Sequence, residues 1–145
     1  MSGGPNHRLI YLLSVAQRRL QRFAASRSED GISPAKTGLL FVLGKEDGVL
    51  MGEAGAALDL GPAGISGLVD RMAAARLVER RADAADGRAW RIHLTDKGRA
   101  MLARARTETA ELNARLAEGF SREEIDIVAR WLSSFQSKFP TRRDE

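Results

Sequence analysis

The sequence predicts a mainly α-helical fold that carries one small antiparallel β-hairpin. Three observations predict it. Over most of the 145 residues, apolar side chains recur at steps of three and four, the period of a helix with one covered face. Between residues 77 and 94 that period gives way to two short strand-like runs, 77–82 and 89–94, joined by polar Asp83-Ala84-Ala85-Asp86-Gly87-Arg88. Helix-start signals punctuate the rest: Ser33-Pro34, Gly61-Pro62, Thr95-Asp96, and Ser121 followed by Glu124.

The elements follow in order. Residues 1–5 form a tail. From residue 6 to 26, Leu9, Leu12, Leu13, Ala16, Leu20, Phe23 and Ala24 give an amphipathic helix with an arginine-rich opposite face and Asn6 as cap. Glu29-Asp30-Gly31 closes it. Ser33 and Pro34 open a second helix, with Leu39, Leu40, Val42 and Leu43 as its apolar face and Phe41 beside them. Asp47-Gly48 ends it. Val49, Leu50 and Met51 suggest a minor third strand. Residues 53–59 form a small helix rich in alanine and glycine. After Gly61-Pro62, Ile65, Leu68, Val69 and Met72 recur on one face of the next helix. Trp90, Ile92 and Leu94 alternate on one strand face and are expected to pack inward. A long helix over 95–118 has Ala100, Ala103, Leu112 and Leu116 as buried candidates. The last helix carries Ile125, Val128, Leu132, Phe135 and Phe139 at steps of 3, 4, 3, 4, a narrow heptad seam with Trp131 beside it.

Helix, tight turn, helix and basic hairpin make a winged helix-turn-helix. The second helix of such a unit fits the major groove of double-stranded DNA, and a basic hairpin tip reaches phosphates or the neighbouring minor groove. Pro62, Ala63, Gly64, Ser66 and Gly67 line the proposed groove face. Arg71 either contacts DNA or pairs with Asp70, Glu79 or Asp86. Arg88 at the hairpin tip suits a narrow minor groove, where negative potential is focused. Arg80, Arg81 and Arg91 read as generic phosphate contacts or exposed strand charges.

Charge agrees with a polyanionic partner. The net charge is +4. Residues 1–28 hold five arginines and no acids, and residues 60–99 hold eight basic against five acidic side chains. Other classes find no support. No run approaches the roughly 20 apolar residues of a membrane helix. With no signal peptide in view, a cytoplasmic address is expected. Zero cysteines exclude disulfides, thiolate metal sites and a cysteine redox sensor. The only histidines are His7 and His93, too far apart in sequence to suggest a metal site, and no phosphate loop or nucleophile–base constellation appears. No catalytic residue, metal or cofactor is therefore expected.

Four pieces in this order and spacing resemble the MarR family of bacterial transcription regulators. They are Leu-Val-Asp-Arg (68–71), Leu-Val-Glu-Arg (77–80), Asp-Gly-Arg-Ala (86–89) and Leu-Thr-Asp-Lys-Gly (94–98). The resemblance implies one domain over 1–145. Its winged lobe would span about 30–98, its linking helix 95–118, and its dimerisation helices about 6–28 and 121–139. It implies a homodimer on a pseudo-palindromic operator, most simply a repressor released by a small aromatic or phenolic effector. Tyr11, Phe23 and Phe41 are available for an effector pocket or for the core. It assigns Arg88 to the minor groove and Asp86 to shaping the wing tip.

The chain departs from the family at several points. Relatives carry Leu-Ala where this chain has Ala54-Gly55; a glycine inside a helix costs about 1 kcal/mol relative to alanine, so a loosely packed, marginal helix is expected. Relatives place Ser or Thr near Ala63 and Gly64, and a polar or basic residue near Gly67. Either the small residues let the helix sit close in the groove, with Ala63 against a thymine methyl, or sequence reading is weakened. Arg76 stands where relatives place the glycine that ends the recognition helix, which predicts strain or a different exit. With groove contacts missing, a helical dimeric adaptor and a sequence-tolerant architectural DNA binder are the alternatives.

Overall fold

Seven helices and three short strands follow one another along residues 8–27 and 33–140, the part of the chain that this computed structural model describes. They are α1 (Leu9–Arg27), α2 (Pro34–Lys45), β1 (Val49–Leu50), α3 (Met51–Ala57), α4 (Pro62–Ala74), β2 (Val78–Ala82), β3 (Trp90–Leu94), α5 (Asp96–Ala117), α6 (Arg122–Ser133) and α7 (Phe135–Lys138). The fold is mainly α with a small antiparallel sheet of order β1-β3-β2. The expected Asn6 cap, His7 and the 29–31 loop lie outside the described residues. The chain divides into two compact units, Met1–Ala105 and Arg106–Glu145.

In the first unit, Ser33 caps α2 by accepting from the Lys36 amide, with Pro34 in the first turn. Leu39, Leu40 and Leu43 of α2 then meet Ile65, Leu68, Val69 and Met72 of α4, and Val49, Val78, Ile92 and Leu94 of the sheet. All are buried, each contributing about 1.5–3 kcal/mol of apolar transfer. The minor third strand exists over two of its three expected residues: Val49 pairs with Ile92 and Leu50 with Arg91, while Met51 opens α3.

Three expectations are corrected here. First, α3 is not loosely packed. Ala54 and Gly55 are buried, and a Cβ at Gly55 would lie 2.9 Å from the Leu60 carbonyl oxygen and 3.3 Å from Ile65. The glycine lets α3 and the turn into α4 approach closely. Second, Trp90 is not core but 46% exposed, although Ile92 and Leu94 on the same strand face are 0% and 5% exposed. The hairpin projects beyond the core, and the cross-strand partner of Trp90, Ala82, is exposed as well. Third, α5 buries a different face. Gly98, Leu102 and Ala105 are buried, Leu112 is half-buried, and Ala100, Ala103 and Leu116 are exposed.

The reason for the α5 face lies at its first turn. A Cβ at Gly98 would sit 2.0 Å from the Leu77 carbonyl oxygen, so only glycine permits this approach and its face must point inward. Thr95 caps α5 by accepting from the Gly98 amide at 3.0 Å, and its own hydroxyl donates to the Arg76 carbonyl at 2.6 Å. Lys97 donates to the Ala75 carbonyl at 3.1 Å. Leu94-Thr95-Asp96-Lys97-Gly98 thus caps one helix while satisfying the last carbonyls of another. Arg76 takes the left-handed conformation expected of a glycine, at φ 61°.

In the second unit, Ser121 and Glu124 form the expected capping box. The predicted continuous last helix breaks at Ser134, whose hydroxyl donates back to the Trp131 carbonyl at 2.6 Å. Trp131, Phe135 and Phe139 stack edge to face across that break, with ring centroids 5.1 and 5.9 Å apart. Neither α6 nor α7 contains a buried residue. Among the described residues no helix is long and apolar enough to cross a membrane.

Candidate nucleic-acid interface

Helix α4 offers its surface as two adjacent rows. Pro62, Ser66 and Asp70 form one, at four-residue spacing; Ala63, Gly67 and Arg71 form the other. Pro62, Ala63 and Gly64 are exposed in the first turn, Ser66 and Gly67 are half-buried, and Arg71 is exposed. Gly61 caps the helix without a side-chain hydrogen bond. Gly64 and Gly67 differ from the glycines of the core. A Cβ at Gly64 would make only ordinary contact with Leu60, at 3.5 Å, and one at Gly67 would meet only the Arg71 guanidinium, at 3.4 Å. Internal packing demands neither glycine.

Arg80 of β2 reaches across to the first row. Its guanidinium pairs with the Asp70 carboxylate and donates to the Ser66 carbonyl at 3.3 Å. This ties the wing strand to the recognition helix and neutralises an acid that would otherwise repel phosphates. The three acids named as partners for Arg71 are engaged elsewhere: Asp70 by Arg80, Glu79 by Arg81, and Asp86 by the Arg88 amide. Among the described residues the guanidinium of Arg71 has no ion-pair partner, and neither does that of Arg88.

The hairpin tip is built by Asp86. Its carboxylate accepts from the Arg88 amide at 3.0 Å and its carbonyl from the Ala89 amide at 3.0 Å, so Arg88 stands exposed on a braced turn. Below it, Arg91 donates to the Asp83 carboxylate at 2.7 Å and to the Gly48 carbonyl at 2.9 Å. The Arg91 guanidinium holds the Asp83 carboxyl below the usual carboxylate range, and Asp83 in turn raises the arginine. Arg80 and Arg91 are therefore struts, where the sequence suggests phosphate contacts or exposed strand charges. Their partners lie 8 to 43 residues away, and no local pattern marks such pairs.

The sequence marks Asp47 only as a helix end. Its carboxylate accepts from the Leu94 amide at 2.8 Å and pairs with Arg99 at 3.3 Å. His93 is half-buried, 3.9 Å from the same carboxylate. Among the described residues no group of three or more potential ligands could hold a metal ion.

A short helix, a turn, an exposed second helix and a braced basic hairpin strapped to it define a winged helix-turn-helix DNA-binding lobe. Residues 30–89 match the model of the MarR family. No curated protein matches the chain by sequence. Solved structures match over nearly its whole length. A probable transcriptional regulator from Pseudomonas aeruginosa is 25% identical, with a TM-score of 0.81 over 90% of this chain and 98% of that one. The transcriptional repressor CouR, bound to a 23-mer DNA duplex, is 27% identical, with a TM-score of 0.79 over 92% and 99%. The PcaV regulator from Streptomyces coelicolor, in complex with its natural ligand, shares the fold at 18% identity, with a TM-score of 0.84 over 94% and 98%. The MarR likeness thus rests on the winged lobe, residues 30–89, and the solved structures at 25–27% identity are transcriptional regulators, one of them bound to DNA.

Proposed function

We propose that the chain is a homodimeric repressor that reads a pseudo-palindromic operator and is released by a small aromatic or phenolic effector. The observation that carries DNA reading is the side-chain-poor face of α4 beside a hairpin whose tip arginine is unpaired among the described residues, the two strapped together by Arg80. In this reading Pro62, Ala63, Gly64, Ser66, Gly67 and Arg71 face the major groove. Asp86 holds the turn that carries Arg88 to the flanking minor groove.

Two helix faces support the dimer, each considered by itself. On α1, Leu9, Ile10, Tyr11, Leu12 and Leu20 are 40–82% exposed. On α6 and beyond it, Ile127, Val128, Leu132 and Phe139 are 45–70% exposed. Apolar faces of this kind mark association surfaces, and a two-fold pair would set two recognition helices about 34 Å apart, one turn of DNA. Repression is supported by the likeness to the repressor CouR, and effector release by the likeness to a regulator solved with its natural ligand.

The test is selection of bound duplexes from a random pool at physiological salt. An enriched pseudo-palindrome is expected, and Arg88→Ala weakens binding to it by about 1–3 kcal/mol. A steep salt dependence without an enriched site would instead support the architectural binder, and no binding would support the adaptor. Transcription from a promoter bearing the selected site, with and without aromatic acids, checks repression and release.

A further inference from the structure

We infer that Arg71 is the specificity-determining residue of the recognition helix, reading a guanine edge in each half-site, and that Gly67 is the seat on which its guanidinium lies. The inference rests on the DNA-reading function proposed above. It starts from the row Ala63, Gly67, Arg71. A long helical side chain runs back over the turn that precedes it. Here Arg71 does so: a Cβ at position 67 would lie 3.4 Å from its Nη1. The guanidinium is therefore displaced from the last turns of α4 toward its first, the half of a recognition helix that meets base edges.

Three further observations make Arg71 the reader of this row. The other two members offer a methyl group and a hydrogen, so the row has one hydrogen-bonding side chain. The neighbouring row has its acid, Asp70, and its Ser66 carbonyl occupied by Arg80. The carboxylates that would capture Arg71 are taken by Arg80, by Arg81 and by the Arg88 amide. A planar five-donor fork, extended along a face with no other long side chain, matches the paired acceptors O6 and N7 of guanine. Gly67 fits the same account. A Cβ there would only touch the guanidinium, at 3.4 Å, whereas a long side chain would take its place along the helix, and packing elsewhere in the fold does not require the glycine.

The experiment is the same selection, run in parallel on the full-length wild type, Arg71→Ala and Gly67→Leu, with thermal melting and the salt dependence of binding measured for each. The expected result is that R71A loses preference at one G·C pair per half-site, about 5- to 150-fold in discrimination, and keeps the remaining positions. G67L weakens preference at that same pair without a lower melting temperature, since leucine is a better helix former than glycine. R71A enriching the wild-type sequence unchanged overturns the inference. So does a uniform fall in affinity across sequences, with a log–log salt slope shallower by about 0.9 for each phosphate no longer neutralised. Wild-type protein that enriches no sequence overturns the DNA-reading function itself, and this assignment with it.

Discussion

The winged lobe and the terminal helices obey different rules of burial. Around α2, α4 and the sheet, Leu39, Leu40, Leu68, Val69, Met72 and Ile92 are at most 1% exposed. α1, α6 and α7 hold no buried residue between them. Both regions have clean apolar periodicity, so periodicity alone does not say whether a face is covered by its own chain. The lobe closes its core internally. α1 in the first unit and α6 in the second each leave apolar side chains exposed among the described residues.

The largest expected effect breaks the lobe. Gly98→Ala drives a Cβ to within 2.0 Å of the Leu77 carbonyl oxygen and dislodges the start of α5. Destabilisation of about 3 kcal/mol or more is expected in urea titration. That is a large share of the roughly 5–15 kcal/mol that holds a domain. Full stability in this variant would show that the lobe's packing is slack. The second effect sharpens the contrast from the other side. Val128→Asp with Leu132→Asp changes residues that are 47% and 45% exposed, and such surface changes usually shift monomer stability by under about 0.5 kcal/mol. If these positions form an interface, sedimentation changes from dimer to monomer mass. A dimer that persists would place its contacts elsewhere.

The smallest effect concerns the wing. The Asp83 carboxyl is lowered by Arg91, so its stabilising contribution is fully present above the ordinary carboxylate value and fades as pH falls through the lowered one. Hydrogen exchange at the Asp83 amide, which donates to the Ala89 carbonyl, should quicken on acidification relative to amides of the lobe core. Asp83→Asn should exchange faster already at neutral pH and lose that acid dependence.

Features written in neighbouring residues were legible in the sequence. Ser33-Pro34, the Ser121–Glu124 box and Thr95 act where they stand, and the hairpin follows from its turn residues. The left-handed exit at Arg76 could be foreseen because the helix must end there whether or not a glycine is present. Features that depend on distant chain were not legible. Gly55 looked like a weak point, because the Leu60 carbonyl pressed against it is invisible in composition. The buried face of α5 is set by the approach of Gly98 to Leu77, which no periodicity reports. Trp90 has the parity of a core residue, but the core ends before it. At the candidate interface, the residues were picked out by their place on the helix and at the turn. The Arg80 strap, and the occupation of the acids that could have captured Arg71, required the fold.

The knot of hydrogen bonds from Thr95 and Lys97 to the carbonyls of Arg76 and Ala75 has a mechanical meaning. It welds the tail of α4 to the root of α5. A turn at the root of α5 is thereby carried into the end of α4, with no bending of the wing.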